Sequence, residues 1–197
     1  MPPSDKMTDL FGAGLSGLEA LLKSQAGDRP PPVERWNPPY CGDIGLAIRR
    51  DGTWYYQGSP IGRKPLVRLF SRVLRRDEDG RHYLVTPVEK VDVAVEDAPF
   101  LAVEMEVSGS GTAQTLTFRT NVDDIVQVGP EHPLRFVTEA AAGGLKPYLL
   151  VRGRLEALVT RALYYDLVEL AVPQAPSRDD VLGLWSGGAF FPLQEAG

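Results

Sequence analysis

Cysteine is almost absent from this chain. Cys41 stands alone among 197 residues, so no intrachain disulfide can form. That fits a reducing compartment. Histidine is nearly as scarce. His82 and His132 are far apart in sequence, and with one cysteine they do not make a zinc site. No stretch approaches the roughly 18 apolar residues of a membrane-spanning helix. Residues 1–10 carry Asp5, Lys6 and Asp9 with no apolar run behind them, unlike a secretory signal. The expected location is the cytoplasm, off the membrane. An excess of basic residues is also missing. Lys plus Arg number 21 against 26 Asp plus Glu, a formal net charge of −5, which argues against wholesale nucleic-acid binding. The familiar catalytic signatures are lacking too. There is no Gly-x-Ser-x-Gly elbow, zinc-protease helix motif, Walker loop or dinucleotide glycine fingerprint. No cofactor or metal is called for. An enzyme reading reduces to Cys41 meeting His82 in space, and it ranks last.

What remains is an ordinary globular composition, 43% hydrophobic and 24% charged, long enough for one domain or two small ones. Residues 8–24 have the leucine spacing of a short amphipathic helix. Residues 29–39 hold five prolines and read as a stiff, extended linker. Ile44, Leu46 and Ile48 alternate, Asp51-Gly52 marks a hairpin turn, and Trp54–Tyr56 return. A helix is predicted over residues 63–76, with Leu66, Leu69, Phe70, Val73 and Leu74 on one stripe. The valine alternations at 91–95 and 103–107, and further short strands at 116–118, 125–128, 134–137, 148–151 and 155–159, make the later chain β-rich. A final helix is predicted over 162–172, with Tyr164, Leu167, Val168 and Ala171 inward. Residues 173–197 read as a wrapping tail pinned by Trp185, Phe190 and Phe191.

Two further patterns bear on function. Residues 63–74 and 161–172 align at an offset of 98, with Arg63 meeting Arg161 and Leu69 meeting Leu167. Each follows a hairpin turn ending in glycine, Gly52 or Gly153. A repeat of hairpin–helix units and chance similarity of two amphipathic helices both stand at this point. Charge is also segregated. Residues 63–81 hold seven of the 21 basic residues, while residues 89–106 carry six acidic residues against Lys90 alone. The two segments either compensate one another inside the molecule or leave a cationic patch. Arg63, at a helix start, is the natural anion contact there.

Several motifs carry a resemblance. Cys41-Gly-Asp, Asp51-Gly-Thr-Trp, Gly58-Ser-Pro-Ile-Gly-Arg63, Leu66-Val-Arg-Leu-Phe70, Leu84-Val-Thr-Pro-Val-Glu-Lys90, Asp97-Ala-Pro-Phe100, Arg119-Thr-Asn121 and Val151-Arg-Gly153 resemble the uncharacterised bacterial family called domain of unknown function 1285, over residues 30–172. The resemblance implies a duplicated core, a second domain superficially like a pleckstrin-homology fold, and a ligand site between the domains. It also implies a nucleotide-like ligand and a role in signal transduction.

The expected fold is therefore α+β and β-rich. Residues 1–40 would be an N-terminal helix and linker, and 41–88 a small hairpin–helix domain. Residues 89–172 would form a seven-stranded domain capped by a helix, and 173–197 a tail. The expected function is non-enzymatic binding of a small anionic, nucleotide-like ligand. Arg63 and Arg152 would meet the anion and Trp54 and Tyr56 the ring. Thr86, Thr120 and Asn121 would give hydrogen bonds, and Glu89 would accept one. A protein-binding module without a small ligand is the alternative. Because residues 90–107 are acidic and would form the first hairpin of the second domain, lipid headgroups are not expected to bind.

Overall fold

The computed structural model describes residues 30–139, 144–175 and 181–193. The helix expected over 8–24 lies outside them. Among the described residues the chain is strand-rich, with two α-helices, and divides into two compact units. One holds the described residues up to Ile48 with Thr53–Ala94. The other holds Arg49–Gly52 and the described residues from Val95 onward.

The first unit contains β1 (Leu46–Ile48), β2 (Trp54–Tyr56), β3 (Ser59–Pro60), α1 (Lys64–Arg72), β4 (Leu74–Arg76), β5 (His82–Val85) and β6 (Lys90–Val95). Their sheet order is β3-β2-β1-β6-β5-β4. Alternation along β1 buries Leu46 and Ile48, and β2 returns in register with Ile48 opposite Trp54. Proline in the first turn of α1 fits the helix start, since its missing N–H has no intrahelical partner there. Leu66, Leu69 and Phe70 face inward. The Phe70 ring lies 5.9 Å from that of Trp54, so helix and hairpin share one core.

The helix is shorter than its hydrophobic stripe predicts. It ends at Arg72, and Leu74–Arg76 turn into a strand paired with β5. Arg75 accounts for the switch. Its side chain is buried, which demands partners on every face. Its Nε donates to Asp77 at 2.5 Å, and its Nη1 donates to the carbonyls of Val33 and Trp36, both at 2.8 Å. The proline-rich segment is thus held to the body of the first unit and is no free linker. Val33 and Pro38 are buried. Backbone bonds join Cys41 to Lys90 (2.8 Å), Lys90 to Pro39 (3.0 Å) and Asp92 to Gly42 (3.1 Å). Tyr40 donates its hydroxyl to Asp92. Lys90 and Arg81 complete the network, on Asp77 at 3.0 Å and Asp92 at 2.5 Å. Within this unit the pair Arg81–Asp92 joins the basic segment to the acidic one.

The second unit contains β7 (Phe100–Ser108), β8 (Thr115–Thr120), β9 (Ile125–Gln127), β10 (Leu134–Thr138), β11 (Leu145–Arg152), β12 (Leu155–Val159) and α2 (Arg161–Glu169). Strand period is plain here: β8 buries every second residue, Leu116, Phe118 and Thr120. The sheet order is β10-β11-β12-β7-β8-β9, with β12 parallel to β7. α2 caps it through Leu167, which is fully buried. The tail forms its own sheet from β13 (Val172–Pro173), β14 (Leu182–Ser186) and β15 (Ala189–Pro192). Ser186 plugs the end of the β8–β9 ladder. Its buried hydroxyl accepts the Leu116 N–H at 2.9 Å and donates to the Val128 carbonyl at 2.8 Å.

Three expectations change. Strand β6 pairs with β5 in the first unit, so the boundary falls after Ala94 and not after Val88, and the second sheet has six strands. The acidic residues of 90–107 consequently belong to two different sheets, which removes the premise of the lipid expectation. Finally, the two sheets share one strand order. Counted from the first strand of each, both run 3-2-1-6-5-4. The helix, however, follows the third strand in the first unit and the sixth in the second. The alignment of helix on helix at an offset of 98 is therefore not the correspondence that the strands display.

Arg75→Met is expected to lower stability by about 3 kcal/mol, the order found when a buried pair is broken. It should also expose residues 33–36 to proteolysis, measured by urea denaturation and limited digestion. Burial raises the Asp77 carboxyl, but hydrogen bonds from Arg75 and Lys90 outweigh it and hold it below the ordinary range. Its stabilisation is then complete above about pH 4 and is lost as pH falls through the lower folded value. Asp77→Asn should flatten that part of the stability profile. Ser186→Ala orphans two backbone groups. It should cost about 1–3 kcal/mol and speed hydrogen exchange at the Leu116 amide.

Candidate functional site

The described residues form a groove of about 440 Å³ in the second unit, within the usual range for small-molecule sites. Its floor is apolar: Leu145 and Pro147 from β11, Leu158 and Val159 from β12. These strands are neighbours, with Tyr148 opposite Leu158. Glu139, just after β10, rims one side. Its N–H donates to the Gly144 carbonyl at 2.7 Å, closing the β10–β11 connection. Arg161, Tyr164 and Tyr165 from the first turns of α2 rim the other.

Thr160 caps α2 in an extended conformation without a side-chain bond, and no acidic residue occupies the first turn. The leading N–H groups of the helix therefore add a positive field to Arg161. Arg161 Nη2 donates to the Tyr165 hydroxyl at 3.4 Å. The two tyrosine rings meet edge to face at 5.6 Å, and Tyr165 is 55% exposed. A flat group can thus lie against an accessible ring.

Lys146 is placed differently. Its ammonium donates to Asp97 at 3.0 Å and Glu139 at 3.2 Å, and the hydrogen bond to Asp97, then that to Glu139, raises its pKa. Asp97 also accepts the Tyr148 hydroxyl at 2.6 Å. Burial and then that hydrogen bond push the Tyr148 phenol well above its ordinary value. The groove thus offers an apolar floor, an accessible ring, a cation at a helix start and a carboxylate acceptor. Among the described residues the lining holds no serine, cysteine or histidine.

None of the eight residues expected to bind ligand lines this groove. Trp54 is 1% exposed, and its indole N–H has no partner, so it serves the core and presents no face. Tyr56 is half-buried, and its hydroxyl accepts from Gln57 Nε2 at 3.2 Å. Arg63 is exposed at the N-cap of α1. Thr86 and Thr120 are buried, and their hydroxyls close turns. Thr86 accepts the Glu89 N–H at 3.1 Å and Thr120 the Asp124 N–H at 3.0 Å. Glu89 is buried in the first of these turns. Asn121 accepts the Leu101 N–H at 3.0 Å. It packs so closely on Gly52, where φ is +78°, that a Cβ there would fall 2.6 Å from its Nδ2. Arg152 pairs with Asp124 and lies 5.0 Å over the Phe100 ring. Thr120 and Arg152 therefore meet through Asp124. The Cys41 thiol is exposed and directed at the Pro39 carbonyl, 3.5 Å away. Among the described residues no group of three or more His, Cys, Asp or Glu gathers to hold a metal ion.

The groove was partly visible in sequence. Arg161, like Arg63, is a cation at a helix start, and it stands three residues before the pair Tyr164-Tyr165.

Residues 31–98 match the N-terminal domain of the family described as a domain of unknown function (DUF1285), and residues 99–193 match the C-terminal domain of the same family. The chain belongs to the DUF1285 family. A crystal structure of a DUF1285 family protein from Silicibacter pomeroyi DSS-3 is similar, with 48% identity and a TM-score of 0.81. The match covers 91% of this chain and 95% of that one. A second DUF1285 family protein, from Shewanella baltica OS155, is 28% identical with a TM-score of 0.50, over 64% of this chain and 91% of that one. No curated protein matches. No helix among the described residues is long and apolar enough to cross a membrane.

Asp97→Asn should let the Tyr148 phenol ionise at lower pH than in the parent, because one of its two main causes of elevation is gone. The check is phenolate absorbance, read as the difference from the matching Tyr148→Phe variant.

Proposed function

We propose that this DUF1285 chain is a non-enzymatic receptor for a small anionic, nucleotide-like ligand, with a role in signal transduction. The observation that carries this reading is the groove beside α2, where an accessible tyrosine ring, Arg161 and an apolar floor converge. The ring and floor suit a base. Arg161 and the leading N–H groups of α2 suit a phosphate or carboxylate. Glu139 suits a hydroxyl or amino donor.

The finer fold reading belongs here as well. We read the two sheets as copies of one unit, and the second domain as superficially similar to a pleckstrin-homology fold. The shared strand order supports the duplication. A second placement of the ligand, on Arg63 and Arg152, rests on the family resemblance. The protein-docking alternative draws on exposed apolar side chains such as Ile125. Single exposed apolar residues are ordinary on folded surfaces, so it ranks below the groove.

A thermal-shift screen with nucleotides, dinucleotides and sugar phosphates tests the proposal. A ligand at 100 times its Kd stabilises the fold by about 2.7 kcal/mol. Arg161→Ala and Tyr165→Ala should abolish the shift while Arg63→Ala and Arg152→Ala keep it. The reverse pattern would move the ligand to the second placement. No shift with any compound would remove the receptor reading.

A further inference from the structure

We infer that the groove beside α2 selects a flat ring carrying a single anionic group and rejects polyphosphates. This rests on the receptor reading above and narrows its ligand class. The charges that face the groove decide it. Lys146 is held between Asp97 at 3.0 Å and Glu139 at 3.2 Å, so these three side chains together carry one net negative charge. Arg161, opposite, has a tyrosine hydroxyl and no carboxylate as partner among the described residues. Arg135, on the neighbouring β10, is committed to Glu156 through bonds of 2.5 and 2.7 Å. Among the described residues the groove therefore offers one cation without a carboxylate partner, Arg161.

A phosphomonoester carries about −1.5 to −2 at neutral pH, and a carboxylate carries one unit. Arg161 and the adjoining helix start can answer charge of that size. The further phosphates of a triphosphate would have to share the groove with Glu139, which also lines it and where the local charge is already negative. Like charges within a few ångströms repel, and the apolar floor lowers the screening. Glu139 is thus the discriminating residue, acting by repulsion, which is how specificity is often set.

Calorimetric titration of the full chain decides between outcomes. The probes are the 5′-monophosphates and 5′-triphosphates of adenosine and guanosine, the parent nucleosides and inorganic phosphate. A monophosphate should bind at least tenfold more tightly than its triphosphate and than its nucleoside. Glu139→Gln should shrink the first ratio severalfold by improving the triphosphate, and leave the nucleoside ratio standing. A triphosphate that binds the parent chain as tightly as its monophosphate overturns the single-charge limit alone. So does Glu139→Gln leaving the ratio unchanged. If no probe binds, the receptor reading falls and takes this inference with it.

Discussion

In each sheet the first strand lies beside the last. β1 neighbours β6 in one, and β7 runs parallel to β12 in the other. Neither sheet can be completed by hairpins alone, because its centre depends on residues far apart in sequence. The other features follow from this closure. It sets the buried rows of Leu46, Ile48, Val91 and Val93 in the first unit, and Phe100, Ala102, Ala157 and Val159 in the second. It also brings β12 and α2 beside β7, since Thr160 donates its N–H to Ala102. The groove exists because α2 leaves the sheet at that point. Long-range pairing of this kind closes long loops before contacts reward it, so slow folding is the expected kinetic signature.

Most strands were legible because alternation is a local property. Trp54–Tyr56, the valines of β6 and β7, and the residues of β12 all announced themselves through period two. Partners did not. Val91–Val95 and Val103–Val107 look alike in sequence, yet one strand belongs to each sheet, and nothing in the alternation says which neighbour a strand takes. The end of α1 was hidden for a different reason. Val73 and Leu74 continue the helical stripe, yet residues 74–76 pair with β5, and from that strand the buried Arg75 reaches its partners. The same guanidinium explains why five prolines did not make a linker, for their segment supplies two of its carbonyl acceptors. Ion pairs between distant residues leave no periodic mark.

The expected site fared according to the kind of evidence behind each residue. Thr86, Thr120 and Asn121 sit at strand ends, as anticipated, but strand ends also need capping, and their polar atoms are spent on backbone N–H groups. Trp54 was attractive as a flat face and proved to be core, the commoner fate of a hairpin tryptophan. The groove draws instead on a helix start and an aromatic pair whose significance depends on β11 and β12 passing beneath them. That juxtaposition is tertiary, and only its components are legible in the sequence.

The hydroxyl of Ser186 has a consequence for the order of synthesis. It bridges Leu116 and Val128, which lie 70 and 58 residues earlier in the chain. A growing chain that has already made β7 through β12 still carries an unmatched donor and acceptor at the end of the β8–β9 ladder. Water can serve them until β14 arrives, so the sheet can assemble early but locks late. The tail then acts as a clasp, and the second unit reaches its final rigidity as a product of the last strands rather than of its own hairpins.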